Sequence, residues 1–188
     1  MPKRIYIKNA AYLLTTNCQG RFPFFKEDIF CNILIDNIAI CQKLKPFELI
    51  GFKINPDHNH LIIQPTGDYN ISQIMQNIKR ITSDHINQLI SFKEKEHRYQ
   101  VLKWNDKLKI YNKMFQRKYN YKGIHGFPRF QWQAGFDDQR VREPEQLQAY
   151  MLYLGKQADK HNLFENKFLY RVKKLPSNIL YIGKKKKK

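Results

Sequence analysis

The sequence predicts an α+β protein of the ferredoxin-like class, in which helices pack on an antiparallel sheet. Two short apolar runs rich in β-branched residues, 47–54 and 58–64, flank the turn-forming triplet 55–57, which is typical of adjacent antiparallel strands. Two other segments, 27–44 and 71–90, repeat their apolar residues at helical spacing. The order β-α-β-β-α-β-α favours a single sheet with helices packed on it.

The remaining elements are predicted from weaker patterns. Apolar residues alternate loosely over 4–16, which indicates a first strand before the first helix. Residues 91–128 are rich in lysine, arginine and tyrosine, and we expect part helix and part loop there. The C-terminal third is predicted to contain one or two short strands in 130–141, a helix over 144–157, and a strand-and-turn segment in 163–182.

The length of 188 residues is sufficient for one domain with a sizeable core. We therefore expect a single domain over residues 1–182, with 91–128 as a variable basic and aromatic insertion. Residues 183–188 form a lysine-rich tail, for which a solvated, non-specific role is expected.

The charge balance indicates a polyanionic partner. The chain has 34 Lys and Arg against 16 Asp and Glu, a net charge of +18, and the five lysines at 184–188 supply only part of this excess. Nucleic acid is the first candidate for the partner. Ribosomal and membrane-surface proteins are also basic, so the charge alone does not decide between these classes.

Cysteine content and hydropathy exclude several other classes. Cys18, Cys31 and Cys41 are odd in number and lack CxxC spacing, which argues against a zinc finger or disulfide framework and favours reduced thiols. Apolar runs stay far below the roughly 18 to 20 residues of a membrane span, and the N-terminus lacks a signal-peptide core. A cytoplasmic protein with no membrane partner is expected.

The most informative motif is His58-Asn59-His60, at the start of an apolar, β-branched run. Strand side chains alternate between faces, so both imidazoles point to one face while Leu61 and Ile63 point to the other. Two neighbouring imidazoles can hold one divalent metal. An isolated His-x-His pair is more often structural, and its weight here depends on a second motif.

That second motif is Tyr153 followed four residues later by Gln157, within the predicted helix 144–157. This spacing places both side chains on one helix face. Tyr150 is the nearest rival tyrosine, but it lies seven residues from Gln157. In a strongly basic chain, a metal-binding strand and a tyrosine–amide helix suggest a metal-assisted enzyme that cuts nucleic acid through a tyrosine.

The chain resembles the single-tyrosine HUH transposases, the IS200/IS605-like group that includes the REP-associated tyrosine transposases. The resemblance spans about residues 12–163 and is weakest over 92–128. It depends on the order of four segments, which are 58–63, 71–80, 130–142 and the Tyr153–Gln157 helix.

Two positions depart from the family pattern. The family often has Met-Pro-Asn before the first histidine, where this chain has Asn55-Pro56-Asp57. REP-associated members usually carry Asn-Pro starting four residues after the tyrosine. This chain has Gln157-Ala158 there, as in the IS200/IS605 type.

The resemblance implies a site and a reaction. Tyr153 is the implied nucleophile, which becomes joined to a DNA 5′ phosphate and releases a 3′-OH. His58, His60 and Gln157 are the implied ligands of Mg²⁺ or Mn²⁺. The implied substrate is hairpin-bearing single-stranded DNA, and the family allows a homodimer in which one subunit lends the tyrosine helix to the other.

Basic residues interleaved with aromatic ones are the expected DNA-binding groups, because cations hold phosphates while aromatic rings stack on unpaired bases. They form three clusters, which are Arg21 and Lys26, then Lys79 and Arg80, then Arg117, Lys118 and Lys122.

Two other functions stay open at this point. One is a hairpin-binding protein that keeps the fold without turnover, and the other is a metal-dependent phosphodiesterase that uses water. A phosphoesterase with two His-x-Thr/Ser motifs is disfavoured, because no second motif of that kind occurs in the sequence.

Overall fold

The computed structural model describes residues 6–91, 106–119 and 126–181. Five strands in this part form one antiparallel sheet with the order β4-β1-β3-β2-β5. The strands are β1 Tyr12–Asn17, β2 Phe47–Asn55, β3 His58–Pro65, β4 Asp137–Arg140 and β5 Leu169–Arg171. The helices are α1 Asp28–Leu44, α2 Ile71–Ser91, α3 Asp106–Lys118, α4 Pro144–Gly155 and α5 Gln157–Lys160.

The predicted α+β class is confirmed, and so are helices α1 and α2 and the β2–β3 hairpin. The first strand is shorter than predicted and begins at Tyr12. The chain turns just before it, where Asn9 has a left-handed φ of 61° and the Ile7 N–H donates to the Tyr12 hydroxyl at 2.8 Å. The C-terminal strand is likewise reduced to the edge strand β5.

The sheet is covered on both faces, and this places the histidine motif. Helices α1 and α2 bury one face together with Leu61 and Ile63, as the alternation predicts. Helix α4 covers the other face, where Leu154 belongs to the same apolar cluster as Ile62. His58 and His60 therefore face α4. All three cysteines are free and buried in the larger core.

The predicted helix over 144–157 is wrong in one respect, because it is two helices. Helix α4 ends at Gly155, and α5 begins at Gln157 after Lys156, whose ψ is 1°. Glycine is a poor helix former, and the Asn166 side chain donates to the Gly155 carbonyl at 2.6 Å, which occupies an acceptor of the helix. The interruption is only one residue long, so Gln157 Nε2 still lies 3.3 Å from the Tyr153 carbonyl oxygen.

Helix α3 forms part of the predicted basic and aromatic insertion. Hydrogen bonds to Glu27, a buried carboxylate at the start of α1, hold this helix in place. Lys118 Nζ and the Tyr119 hydroxyl each donate to Glu27 Oε2 at 2.6 Å. No helix in the described ranges has both the length and the apolarity that crossing a bilayer requires.

Candidate metal and tyrosine site

The two histidines lie on the central strand β3, where neighbours on both sides fix their surroundings. His60 is opposite Thr15 of β1, and His58 is opposite Asn55 of β2. Both imidazoles are buried, with 5% and 4% of their surface exposed, and their ring centroids are 4.9 Å apart. The two imidazoles thus form one buried patch that faces α4 and α5.

A hydrogen bond at the Nδ1 atom orients each ring. Asp57 Oδ1 lies 2.5 Å from His58 Nδ1, and Thr15 Oγ1 lies 2.9 Å from His60 Nδ1. In the tautomer that carries its hydrogen on Nδ1, each ring donates to this oxygen and leaves a lone pair on Nε2. Such outer partners are the ones that orient metal-binding imidazoles.

The tyrosine and the amide meet these Nε2 atoms. The Tyr153 hydroxyl lies 3.3 Å from His60 Nε2, with ring centroids 5.1 Å apart. Gln157 is 1% exposed, and its Oε1 accepts from Asn55 Nδ2 at 3.2 Å. Asn55 Nδ2 is also 3.0 Å from His58 Nε2. All four residues that the sequence singled out for chemistry therefore converge.

The environment keeps both imidazoles uncharged at neutral pH. Burial, followed by the neighbouring His58, lowers the pKa of His60 to about 3. Burial also lowers the pKa of His58, although the adjacent Asp57 carboxylate acts in the opposite direction. A neutral imidazole is the form that binds metal, so these rings need no deprotonation to act as ligands.

The donor set fits a divalent cation. With metal–nitrogen bonds of about 2.1 Å, two rings on one ion have centroids about 5 Å apart, close to the observed 4.9 Å. Asn55 Oδ1 is buried and has no hydrogen-bond partner in the described part of the chain. No three His, Cys, Asp or Glu side chains among the described residues form a ready metal cluster. The amide oxygen of Gln157, which accepts from Asn55 at 3.2 Å, could add an oxygen donor to the two imidazoles.

Cationic and imidazole groups surround the pair. Lys160 Nζ lies 5.7 Å from the Tyr153 ring centre. The ring of His161 lies 4.9 Å from that of His58. Arg21, predicted to bind DNA, lies at the exposed rim, with Nη1 3.4 Å from Asp57 Oδ2. Lys160 and Arg21 carry positive charge near the site, and positive charge attracts a phosphate.

Two more predicted DNA-binding residues belong to α2. Lys79 donates to the carbonyl oxygens of Gln133 and Gly135 at 2.8 and 2.6 Å. These bonds hold the loop before β4 against α2. Arg80 is exposed and pairs with Asp84 at 3.6 Å.

The other predicted DNA-binding residues differ in their surroundings. Lys26 and Arg117 are exposed, and Lys118 is paired with buried Glu27. Lys122 lies outside the described residues. Among those of these basic residues that the structure describes, Arg21 borders the histidine pair.

The sequence did not identify Asn55 and Thr15 as site residues. Asn55 could have been found, because the two-residue turn Pro56-Asp57 places it opposite His58 in the hairpin. Thr15 carried no such signal, because its contact with His60 depends on pairing between strands that are 45 residues apart.

Comparison with known families decides the class of the protein. The family model described as IS200-like transposase matches residues 6–126. The chain belongs to the IS200-like transposase family. The matched span contains His58 and His60, whereas Tyr153 and Gln157 follow it.

The solved structure of one transposase shares this fold. A REP-associated tyrosine transposase bound to a REP hairpin is 19% identical, with a TM-score of 0.56 over 87% of this chain and 74% of that chain. A proposed transposase from Deinococcus radiodurans R1 is 14% identical, with a TM-score of 0.44 over 84% of this chain and 97% of that chain. No curated protein matches the chain.

Proposed function

We propose that this transposase cleaves and rejoins hairpin-bearing single-stranded DNA through a 5′-phosphotyrosine intermediate and requires a divalent metal. The observation that carries the proposal is the 3.3 Å approach of the Tyr153 hydroxyl to His60 Nε2, beside His58 and Gln157. A scissile phosphate bound at this point would touch both the candidate nucleophile and the candidate ligands.

Tyr153 is the nucleophile in this proposal. Its phenolic oxygen attacks phosphorus, a new P–O bond forms, and the bond from phosphorus to the 3′ oxygen breaks. The phenolic proton leaves to solvent, and the departing 3′ oxygen takes up a proton to become the 3′-OH. The covalent link conserves the phosphodiester energy, so the reverse attack by a 3′-OH rejoins a strand without ATP.

His58, His60 and Gln157 would hold the divalent ion, and Mg²⁺ and Mn²⁺ suit this mixed nitrogen and oxygen set. When bound, the ion supplies polarisation of a non-bridging phosphate oxygen and neutralises charge in the transition state. Lys160 and Arg21 add positive charge at the rim, which favours binding of the phosphate before attack.

The substrate class is supported by the solved relative that was captured with a REP hairpin. The net charge of +18 also suits an extended polyanion. Since Tyr153 meets His60 of its own chain, one protomer can assemble the whole site. A homodimer in which the subunits exchange this helix is compatible with the proposal as well.

The test is a covalent-adduct assay with labelled single-stranded hairpin DNA and Mn²⁺ or Mg²⁺, resolved on a denaturing gel. Tyr153→Phe should bind DNA normally but give no adduct, because only the hydroxyl is lost. Tyr150→Phe is the matched control, because Tyr150 is one turn earlier and its hydroxyl bonds Gln139 and Gln146 instead. That variant should form the adduct as the wild type does.

Adducts that persist in Tyr153→Phe would refute the assignment of the nucleophile. Metal-dependent cleavage without an adduct would identify a phosphodiesterase that uses water. Binding without cleavage across several hairpins would identify a DNA-binding protein that keeps the fold without turnover.

A further inference from the structure

We infer that Asn55 is a further metal ligand, whose side-chain amide bridges His58 and Gln157 in the metal-free protein and turns its oxygen onto the cation when metal binds. The inference rests on the proposed metal site and adds a fourth protein ligand to it.

The Asn55 amide group lies where the candidate ligands converge. Its Nδ2 is 3.0 Å from His58 Nε2 and 3.2 Å from Gln157 Oε1. An NH₂ group has two hydrogens to donate, and here it meets one lone pair on each of two metal-binding atoms. It therefore occupies the place of a cation between them.

The oxygen of the same amide is buried and unpaired among the described residues. Asn55 is 1% exposed, and its Oδ1 lacks a hydrogen-bond partner in the part of the chain that the structure describes. Buried polar atoms are nearly always paired, so an unpaired buried oxygen beside two metal-binding groups points to a missing partner.

A cation that binds His58 Nε2 and Gln157 Oε1 must displace the Asn55 NH₂ group, because an amide nitrogen donates hydrogens and offers no lone pair. The backbone of Asn55 is held by pairing with His58 across the hairpin, so the side chain stays at the site. Rotation of the amide by half a turn exchanges NH₂ for Oδ1 within nearly the same volume. The orphaned oxygen then faces the ion, and amide oxygens suit Mg²⁺ and Mn²⁺.

Metal binding itself provides the test. The affinity of the full-length protein for Mn²⁺ is measured by electron paramagnetic resonance of the free ion, without DNA. Asn55→Leu removes both polar atoms at similar size, and we expect it to weaken Mn²⁺ binding by at least about 10-fold, because loss of even an outer partner of a ligand costs about that much. Asn55→Asp keeps oxygen donors and adds charge, so it should bind Mn²⁺ at least as tightly as the wild type.

Asn59→Leu is the matched control. Asn59 is a buried asparagine on the same hairpin, and its Oδ1 is also unpaired among the described residues. Its register partner Ile54 belongs to the core on the opposite face of the sheet. Mn²⁺ affinity should be unchanged in this variant. Circular dichroism confirms that each variant is folded before titration.

The outcomes separate the inference from the proposed function. The inference is overturned if Asn55→Leu binds Mn²⁺ as tightly as the wild type, because the amide is then not a ligand. Tighter binding would overturn it too, because the amide would then obstruct the site. Weaker binding by Asn55→Asp would overturn it as well. If His58→Ala loses Mn²⁺ while Asn55→Leu does not, the proposed metal site stands and only the role of Asn55 fails. If the wild type binds no Mn²⁺, both fail together.

Discussion

Acid should destabilise this fold in a way that can be traced to His60. Burial lowers the pKa of this imidazole to about 3, so the folded protein keeps it neutral over a range where the unfolded chain protonates it. The unfolded state then binds more protons, and stability is lost as the pH falls below the ordinary imidazole pKa of about 6.5. Above that pH the contribution of His60 is fully present.

The size of the effect follows from the width of the pH interval. Each pH unit below about 6.5 costs about 1.36 kcal/mol per imidazole that must stay neutral. At pH 5 the interval is about 1.5 units, so His60 should cost about 2 kcal/mol of unfolding free energy. The result depends little on the folded pKa, because a value of about 3 is well below pH 5.

The assay compares urea unfolding of wild type and His60→Gln in the presence of EDTA, at pH 7 and at pH 5. Glutamine removes the titrating group but keeps an amide that can bond Thr15. The loss of stability between the two pH values should be smaller in the variant by about 2 kcal/mol.

A comparison between pH 7 and pH 8 is the internal control, because little imidazole titrates there even in the unfolded chain. The two proteins should then respond alike. Equal losses of stability in wild type and variant between pH 7 and pH 5 would refute the claim that burial keeps His60 neutral.

Two further predictions concern packing that positions the site. Gly51→Ala should destabilise the fold by about 1–3 kcal/mol in urea unfolding, because its Cβ would lie 3.0 Å from Leu154 Cδ1 and 3.1 Å from a backbone oxygen. Gly67→Ala, whose Cβ would meet only ordinary contacts from 3.5 Å, should stay within about 0.5 kcal/mol of the wild type. Glu27→Gln should lower the free energy of local unfolding of α3 by about 1–3 kcal/mol. The variant lacks the carboxylate charge that accepts from Lys118 and Tyr119. Hydrogen exchange should then be faster in α3 while the central strands are unchanged, and unaltered exchange in α3 would contradict this role of Glu27.

Local patterns were sufficient for much of the architecture and for pairing the candidate residues within each of the two motifs. Strand alternation put His58 and His60 on one face and Leu61 and Ile63 on the other, because the period of a strand is fixed by backbone geometry. Helical spacing kept Tyr153 and Gln157 together even though α4 ends between them. Both patterns depend only on neighbours in the sequence.

The tertiary structure alone decided how these pieces meet. The contact between Asn55 and Gln157 joins residues 102 positions apart, and nothing local in either segment specifies it. Packing also decided that Lys118 and Lys79, for which the sequence predicts DNA binding, donate to the protein's own oxygens. A charged side chain has the same sequence signature whether it meets a phosphate or a buried carboxylate. The difference lies in which surfaces the fold brings together, because strand pairing and helix docking are fixed by burial of the whole core.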